Sequence, residues 1–159
     1  MSVLAGLEVS DVEESSEGLS ITLRRSKTDQ EGRGRAVGVC RSDNPATCPV
    51  RALQAWLSAS GVTEGRIFRH IDRHGRILAG ITPQTVALVV KTAALDAGLD
   101  PSLYSGHSLR AGLVTQAVLN GASDGNIMRQ TGHKSQATVQ RYVRIANIFK
   151  DNVSGSIGL

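Results

Sequence analysis

The sequence predicts an α+β fold that is mainly helical, with a small antiparallel β-hairpin sheet packed on a helical core. Apolar and polar residues alternate over 19–23, which is the period of a strand, and a second short strand follows at 36–40. The final third carries the serine starts and glycine stops of helices, which predict three short helices at 108–120, 123–130 and 135–145. Short connections imply that these helices pack as neighbours.

The chain has the length and composition of one domain. Its 159 residues are 40% hydrophobic, which is enough to bury a core, and its formal net charge of +4 permits a nucleic-acid partner without proving one. No apolar run reaches the roughly 18 residues that a membrane span needs, and the N-terminus has no signal-peptide pattern. Cys40 and Cys48 are too few for a disulfide framework, which favours a reducing compartment. We therefore expect a soluble, cytoplasmic protein with no membrane partner.

One metal-binding alternative uses Cys40, Cys48, His70 and His74, because two cysteines with two histidines can hold zinc tetrahedrally. The gap between the two cysteines, residues 41–47, is longer than the about two to four residues that are usual in finger-like sites. The sequence therefore favours ordinary thiols and solvated histidines, and it predicts no metal site.

The first half of the chain carries less regular signals. Apolar residues between positions 3 and 9 have helical spacing, which predicts the tail of a helix, and an acidic run follows at 11–17. The polar segment 28–35 forms the basic tip of the predicted hairpin. A second, shorter hairpin is predicted at 66–78, because an Arg-His-Gly sequence marks a turn at its centre.

Two further helices are predicted between these hairpins and the final third. The first covers 47–57, with Thr47 as its N-terminal cap and Gly61 at its end. The second starts at the Thr-Pro pair 82–83 and runs to Gly98. Its apolar content predicts that the second helix is deeply buried, above all at 86–90 and Leu95.

Groups that bind phosphate concentrate in the final third. His107 and Arg110 are three residues apart and so lie on one face of a predicted helix, while His133 and the Arg141-Tyr142 pair follow at or within later helices. Taken one at a time, each is better explained by a structural role: a packing tyrosine, a helix-end histidine or a surface ion pair. Their clustering favours a phosphate site, and the other tyrosine, Tyr104, is interpreted as structural.

The chain resembles the tyrosine recombinases, also called the phage integrase family, in three ordered elements: GHSLR at 106–110, TGH at 131–133 and a tyrosine at 142. A lone His-x-x-Arg carries little information, whereas the ordered set is specific. The resemblance covers nearly the whole chain, since the CPVRAL helix start at 48–53 is also common in the family. It implies a tyrosine recombinase catalytic-domain fold and a DNA-integrating or recombining enzyme of a mobile element from a bacterium, phage or plasmid.

The resemblance also implies a role for five residues in attack on a DNA phosphate. Tyr142 is the nucleophile, and His107 takes its proton, because a phenol is a weak nucleophile until a base assists it. Arg110 and His133 bind the non-bridging oxygens. Lys27, at the first hairpin, protonates the leaving 5′ oxygen. The 3′-phosphotyrosyl product conserves bond energy, so the resemblance implies no nucleotide cofactor and no metal.

Duplex DNA is the partner that the resemblance implies, with expected phosphate contacts from Arg24, Arg25, Arg33, Arg35, Lys134 and Arg141. In relatives, the segment after the tyrosine often docks into a neighbouring subunit. This chain has apolar residues in that segment, which predict either a homo-oligomer on DNA or self-docking on the chain's own core: Ile145, Ile148, Phe149 and Val153. The expected location is the cytoplasm, on the nucleoid or other DNA.

The sequence departs from the family pattern at its start. Relatives have an earlier catalytic Arg-x-x-Glu, and on that alignment Val3 occupies the glutamate position while the arginine falls just before Met1. We therefore expect an N-terminally truncated catalytic domain over 1–159, without the helical N-terminal DNA-clamping domain of relatives. Activity is expected to be impaired by about 10²- to 10³-fold, by analogy with the loss of one oxyanion donor.

Two other functions fit the same residues. A catalytically inactive remnant would keep the fold and only bind DNA or a full-length partner, which the missing arginine favours. A type IB topoisomerase would use a similar tyrosine and phosphate site to relax supercoils without a defined target sequence. The hairpin lysine Lys27 and the Gly132-His133 pair fit integrases better than topoisomerases.

Overall fold

The computed structural model of the chain describes residues 3–24 and 34–146, with side chains up to 143. The chain divides into two compact units, Met1–Val89 and Val90–Leu159. The observed elements are five helices and two small antiparallel sheets within the described residues, so the predicted α+β, mainly helical class is confirmed.

A three-stranded antiparallel sheet lies in the first unit, formed by β1 (Val12–Glu14), β2 (Gly18–Leu23) and β3 (Arg35–Cys40) in that order. Leu19 of β2 pairs with Val39 of β3, and both side chains turn to the same face because side chains alternate along a strand. The predicted strands over 19–23 and 36–40 are confirmed. β1, inside the acidic run, was not expected from the sequence.

The predicted helix tail at the start of the chain is wrong. Two short 3₁₀ turns occupy this region instead, Leu4–Gly6 and Val9–Asp11. Between them the backbone pairs with a distant segment: the amide of Ile67 donates to the carbonyl of Leu7 at 2.9 Å, and the amide of Val9 donates to Gly65 at 2.9 Å. These bonds use backbone groups that a continuous helix would need for itself.

Helix α1 (Pro49–Ser60) packs on the sheet through Val50, which is fully buried with Leu19 and Cys48. The predicted helix is confirmed, but its cap is Cys48 rather than Thr47. Gly61 ends it as expected, with a φ of 64° that a residue without a Cβ adopts easily. The short hairpin that follows consists of β4 (Arg69–Ile71) and β5 (Ile77–Gly80).

Helix α2 (Pro83–Asp96) runs from the first unit into the second. Its predicted deep burial is wrong, because Leu88, Val89 and Leu95 are 63%, 62% and 61% exposed. Only Val90 and Ala94 are buried on this helix. They are four residues apart and thus form one narrow stripe, so continuous apolar sequence overstated the buried surface.

The second unit contains helices α3 (Gly106–Leu119), α4 (Asp124–Thr131) and α5 (Gln136–Ala146), which confirms the three predicted C-terminal helices. Ser105 caps α3 by accepting a hydrogen bond from the amide of His107, and Ser123 caps α4 by accepting one from Asn126. Gly132 ends α4 in the left-handed conformation, at a φ of 71°.

The core of the second unit lies between these three helices. Val114 and Val118 of α3, Ile127 of α4 and Val139 of α5 are buried together. Tyr142 packs against this cluster and is half-buried, so its ring is positioned by the core while part of it stays accessible. Within the described residues, no helix has both the length and the apolar character to cross a bilayer.

Candidate active site

Arg110, His133 and Tyr142 come together in the second unit. The Nε atom of Arg110, on α3, lies 3.4 Å from Nε2 of His133, which follows α4. The rings of His133 and Tyr142 have their centroids 6.4 Å apart and are tilted by 34°. Three side chains that the sequence separates by up to 32 positions therefore form one half-buried group.

The turn after α4 determines where His133 lies. Gly132 has a φ of 71°, and its amide donates a 2.7 Å hydrogen bond to the carbonyl of Met128. This left-handed residue reverses the chain direction at the helix end, which brings the next side chain back toward α3. A side chain at position 132 would be strained, because the φ of this residue is positive.

Arg110 is held by a second contact on the same turn. Its Nη2 atom donates a hydrogen bond of 2.5 Å to the carbonyl of Thr131, the last residue of α4. The final carbonyls of a helix have no partner within the helix and carry partial negative charge, so they favour a cation. The guanidinium thereby completes the end of α4 while it faces His133.

The environment of His133 disfavours its charged form. Burial lowers the pKa of His133 below the ordinary value for histidine, and electrostatic interaction with Arg110 and, less, with His107 lowers the pKa further. On the other side of the ring, Nδ1 lies 2.8 Å from the hydroxyl oxygen of Thr131. The imidazole is therefore neutral at neutral pH in this arrangement and held on both of its nitrogens.

His107 lies one helical turn before Arg110, in the exposed first turn of α3. The structure thus brings together three of the five residues that the sequence assigned to catalysis, Arg110, His133 and Tyr142, and it places His107 on the same helix as Arg110, one turn earlier. Lys27 lies outside the described residues.

The cations expected to contact DNA lie in four different surroundings. Arg25 and Arg33 lie outside the described residues. Lys134 and Arg141 are exposed beside the site, and Arg35 is half-buried in β3. Arg24 is held by acidic neighbours.

Arg24 forms an ion pair with Asp11 and a second with Glu8, the latter at 3.5 Å, and its Nη2 donates to the Ser10 hydroxyl at 2.8 Å. Asp11 is buried and also accepts a hydrogen bond from the amide of Glu8 at 3.0 Å. Arg24 therefore connects the end of β2 to the preceding 3₁₀ turn. A DNA contact for this residue stays a prediction, and it would compete with these carboxylates.

Two structural features of the site were missed by sequence reasoning. Thr131 contacts both Arg110 and His133, and its position directly before the Gly-His pair was the only signal in the sequence. Asp124 accepts hydrogen bonds from Gln136 at 3.0 Å and Gln140 at 2.5 Å, which connects the start of α4 to the helix that carries Tyr142. Nothing in the sequence pairs these three residues.

The zinc alternative finds no geometric basis in the described part of the chain. No group of three or more histidine, cysteine, aspartate or glutamate side chains is placed there to hold a metal ion. Cys48 is buried and its sulfur accepts a hydrogen bond from the amide of Ser42 at 3.3 Å, whereas Cys40 is exposed. Hydrogen bonds from the backbone amides of Arg51 and Ser42 lower the pKa of the Cys48 thiol.

The chain is similar to known proteins in sequence. A sequence profile of the phage integrase family matches residues 1–147. The integrase/recombinase XerD homolog of Selenomonas ruminantium is 39% identical over 152 residues, which are 95% of this chain and 45% of that protein.

Two solved structures share the fold. The XerH site-specific recombinase, in a post-cleavage complex with a palindromic difH substrate, has a TM-score of 0.67 and 20% identity, over 98% of this chain and 40% of that one. The XerA recombinase has a TM-score of 0.63 and 23% identity, over 89% of this chain and 46% of that one. This chain spans less than half the length of each of these proteins.

Proposed function

Since this chain belongs to the phage integrase family of tyrosine recombinases, we propose that it cuts and rejoins duplex DNA through a covalent bond between Tyr142 and a 3′ phosphate. The observation that carries this proposal is the meeting of Arg110, His133 and Tyr142 in one unit. A phenol beside two nitrogen-rich side chains is the arrangement that attack on a phosphodiester needs.

Arg110 and His133 bind the phosphate. In the transition state, negative charge spreads over the non-bridging oxygens, and fixed N–H donors stabilise that charge. A guanidinium has five N–H groups, and the hydrogen bonds of Arg110 to Thr131 and His133 leave others for a phosphate. An anion placed between these two side chains also offsets the charge of Arg110, which favours a proton on His133.

The proton transfers are assigned on the family pattern. The phenolic oxygen of Tyr142 forms the new bond to phosphorus, and its proton passes to His107. The bond from phosphorus to the 5′ oxygen breaks, and that oxygen takes a proton from Lys27. Rejoining is the reverse reaction, in which the 5′ hydroxyl attacks the phosphotyrosine. One phosphoester replaces another, so the cycle needs no high-energy cofactor.

The family pattern places one more arginine upstream of Met1. A chain assayed without that arginine lacks one donor to the transition state, and we expect it to cleave about 10²- to 10³-fold more slowly than an extended version. The proposal therefore concerns two proteins: the 159-residue chain, and an extended chain that carries the family's arginine on an added upstream segment.

The DNA substrate that we propose is a duplex with two inverted half-sites. The XerH structure is described as bound to a palindromic substrate, and a palindrome matches two copies of a protein related by two-fold symmetry. The segment proposed to join the copies, with Ile148, Phe149 and Val153, lies outside the described residues, and the side chain of Ile145 does too.

The test uses nicked suicide DNA, in which loss of a short fragment after cleavage traps the covalent complex. The extended chain is expected to give an adduct that withstands denaturing electrophoresis, and Tyr142→Phe is expected to abolish it. Tyr104→Phe is the matched control, because the chain has only these two tyrosines. Salt-dependent DNA retention with no adduct from either protein would select the inactive DNA-binding function instead.

A further inference from the structure

We propose that Thr131 is a positioning residue, whose hydroxyl holds the ring of His133 so that Nε2 faces Arg110 and the substrate phosphate. The catalytic consequence rests on the proposed function, whereas the arrangement of the ring does not. The proposal concerns a residue that is 5% exposed and that contacts both predicted phosphate ligands.

The first step follows from the single proton of a hydroxyl group. The Thr131 oxygen lies 2.6 Å from the carbonyl oxygen of Ile127, one turn earlier in α4, and 2.8 Å from Nδ1 of His133. A carbonyl can only accept, so the hydroxyl proton points to Ile127 and the oxygen offers a lone pair to His133. Nδ1 of His133 must then carry the hydrogen and donate it.

The second step comes from the opposite edge of the ring. The Nε atom of Arg110 is always a donor, and it lies 3.4 Å from Nε2 of His133. Nε2 must therefore be the bare, accepting nitrogen of the neutral ring. Two contacts on different atoms, made by residues from α3 and α4, thus require the same tautomer.

The third step concerns what the ring can do. Nδ1 keeps its hydrogen in the neutral ring and in the protonated ring, so the hydrogen bond to Thr131 survives a change of charge. Protons are then gained and lost only at Nε2, on the edge that faces Arg110, and the ring does not rotate. Without the hydroxyl, only the contact with Arg110 still disfavours the other tautomer, and the ring is no longer held on its Nδ1 side.

The side chain and the backbone of Thr131 act on different partners. Its hydroxyl contacts His133, whereas its carbonyl accepts the 2.5 Å hydrogen bond from Arg110. A substitution that lacks the hydroxyl removes the first contact and keeps the carbonyl. Thr131→Val has nearly the shape of threonine without the hydroxyl, and Thr131→Ser keeps the hydroxyl with one methyl group less. The two variants separate the hydroxyl from the packing.

The first measurement is the ¹⁵N NMR spectrum of the histidine side chains in the full chain at neutral pH, without DNA. In the wild-type protein and in Thr131→Ser, we expect the His133 signals of a ring protonated at Nδ1 and bare at Nε2. In Thr131→Val, where only the contact with Arg110 is left to favour this tautomer, we expect a larger share of the opposite tautomer than in either of these proteins. A wild-type ring protonated at Nε2 would overturn the proposal, and this reading needs neither cleavage activity nor a stable variant.

The second measurement is the rate of adduct formation in a double-mutant cycle with His133→Gln, using the extended chain. Thr131→Val alone is expected to slow the reaction about tenfold, as for loss of the outer partner of a ligating histidine, and Thr131→Ser less than about threefold. In the His133→Gln background, Thr131→Val should add nothing. An equal loss in both backgrounds would show that Thr131 acts only on the fold and would overturn the proposal.

Discussion

Arg110 and His133 approach each other to 3.4 Å at the end of helix α4, although 23 positions separate them in the sequence. The contact depends on the left-handed turn at Gly132 and on the carbonyl of Thr131, which anchors the guanidinium. The sequence predicts both residues as phosphate ligands, so the proposed phosphate site lies where these two side chains are adjacent. Substitutions that remove this contact, the hydrogen bonds of Asp124 or the ion pair of Arg24 should each have a measurable effect.

Replacing Arg110 by lysine should slow adduct formation by about 10²- to 10³-fold, although the positive charge is retained. An ammonium group cannot reproduce the planar fork that reaches Thr131 and His133 together. Single-turnover cleavage of nicked DNA by the extended chain measures the effect. Arg129→Lys, on the exposed side of α4, is the control and should retain activity within a few fold. Equal rates for the two variants would remove Arg110 from the phosphate site.

The pH dependence of stability should contain a contribution from His133. Burial lowers the pKa of His133 in the folded chain, and electrostatic interaction with Arg110 and His107 lowers the pKa further. At pH values between this lowered pKa and the unfolded value of about 6.5, the unfolded chain therefore binds more protons than the folded chain. The free energy of unfolding must therefore fall as the pH drops below about 6.5. Above that value, His133 no longer destabilises the folded chain.

Urea unfolding of the DNA-free chain at several pH values between about 5 and 8 measures this effect. His133→Gln should show a smaller loss of stability on acidification than the wild-type chain. His74→Gln, at an exposed position in the β4–β5 hairpin, is the control. If the wild-type chain and His133→Gln lose stability in parallel, the ring is not in the cationic surroundings described above.

Removing the carboxylate of Asp124 should loosen the helix that carries Tyr142. Asp124 accepts hydrogen bonds from Gln136 and Gln140 of α5 and also lies in the first turn of α4, where a negative charge is favourable. Asp124→Ala should lower the free energy of unfolding by about 1–2 kcal/mol. Asp124→Asn keeps an accepting oxygen and should lose less. Indistinguishable urea midpoints for the two variants would contradict a role for these hydrogen bonds.

Arg24 should contribute to stability whether or not it contacts DNA. Arg24→Ala leaves the buried carboxylate of Asp11 without its cation, and we expect a loss of about 1–3 kcal/mol in the free energy of unfolding. Arg41→Ala removes an ion pair whose carboxylate, Glu14, is exposed to solvent, and it should cost at most about 1 kcal/mol. Thermal or urea unfolding compares the two, and a larger loss for Arg41→Ala would reverse this ranking.

Elements with local signals were predictable from sequence. Helices α3 and α4 have serine caps and a glycine at or directly after their C-cap, and both kinds of signal act within a few residues. The candidate site was found in the same way, because its His-x-x-Arg, Gly-His and tyrosine elements keep their order and spacing along the chain. Their convergence in space required only that the three helices pack on one core.

Features that depend on distant partners were not predictable. The backbone at Leu7 pairs with Ile67, and this pairing replaced the expected helix tail by 3₁₀ turns. The exposed leucines of α2 show that apolar composition alone does not reveal which stripe is buried. Thr131 contacts both Arg110 and His133 because the chain turns at Gly132, and no local pattern in the sequence predicts these contacts.

The most direct test of the central claim is to locate the covalent bond. The extended chain is incubated with nicked DNA labelled on either side of the break, the adduct is digested with nuclease and protease, and the modified peptide is sequenced by mass spectrometry. We expect a nucleotide linked through its 3′ phosphate to Tyr142, with a free 5′ hydroxyl on the departing strand. A nucleotide attached to any other residue, or linked through a 5′ phosphate, would contradict the account.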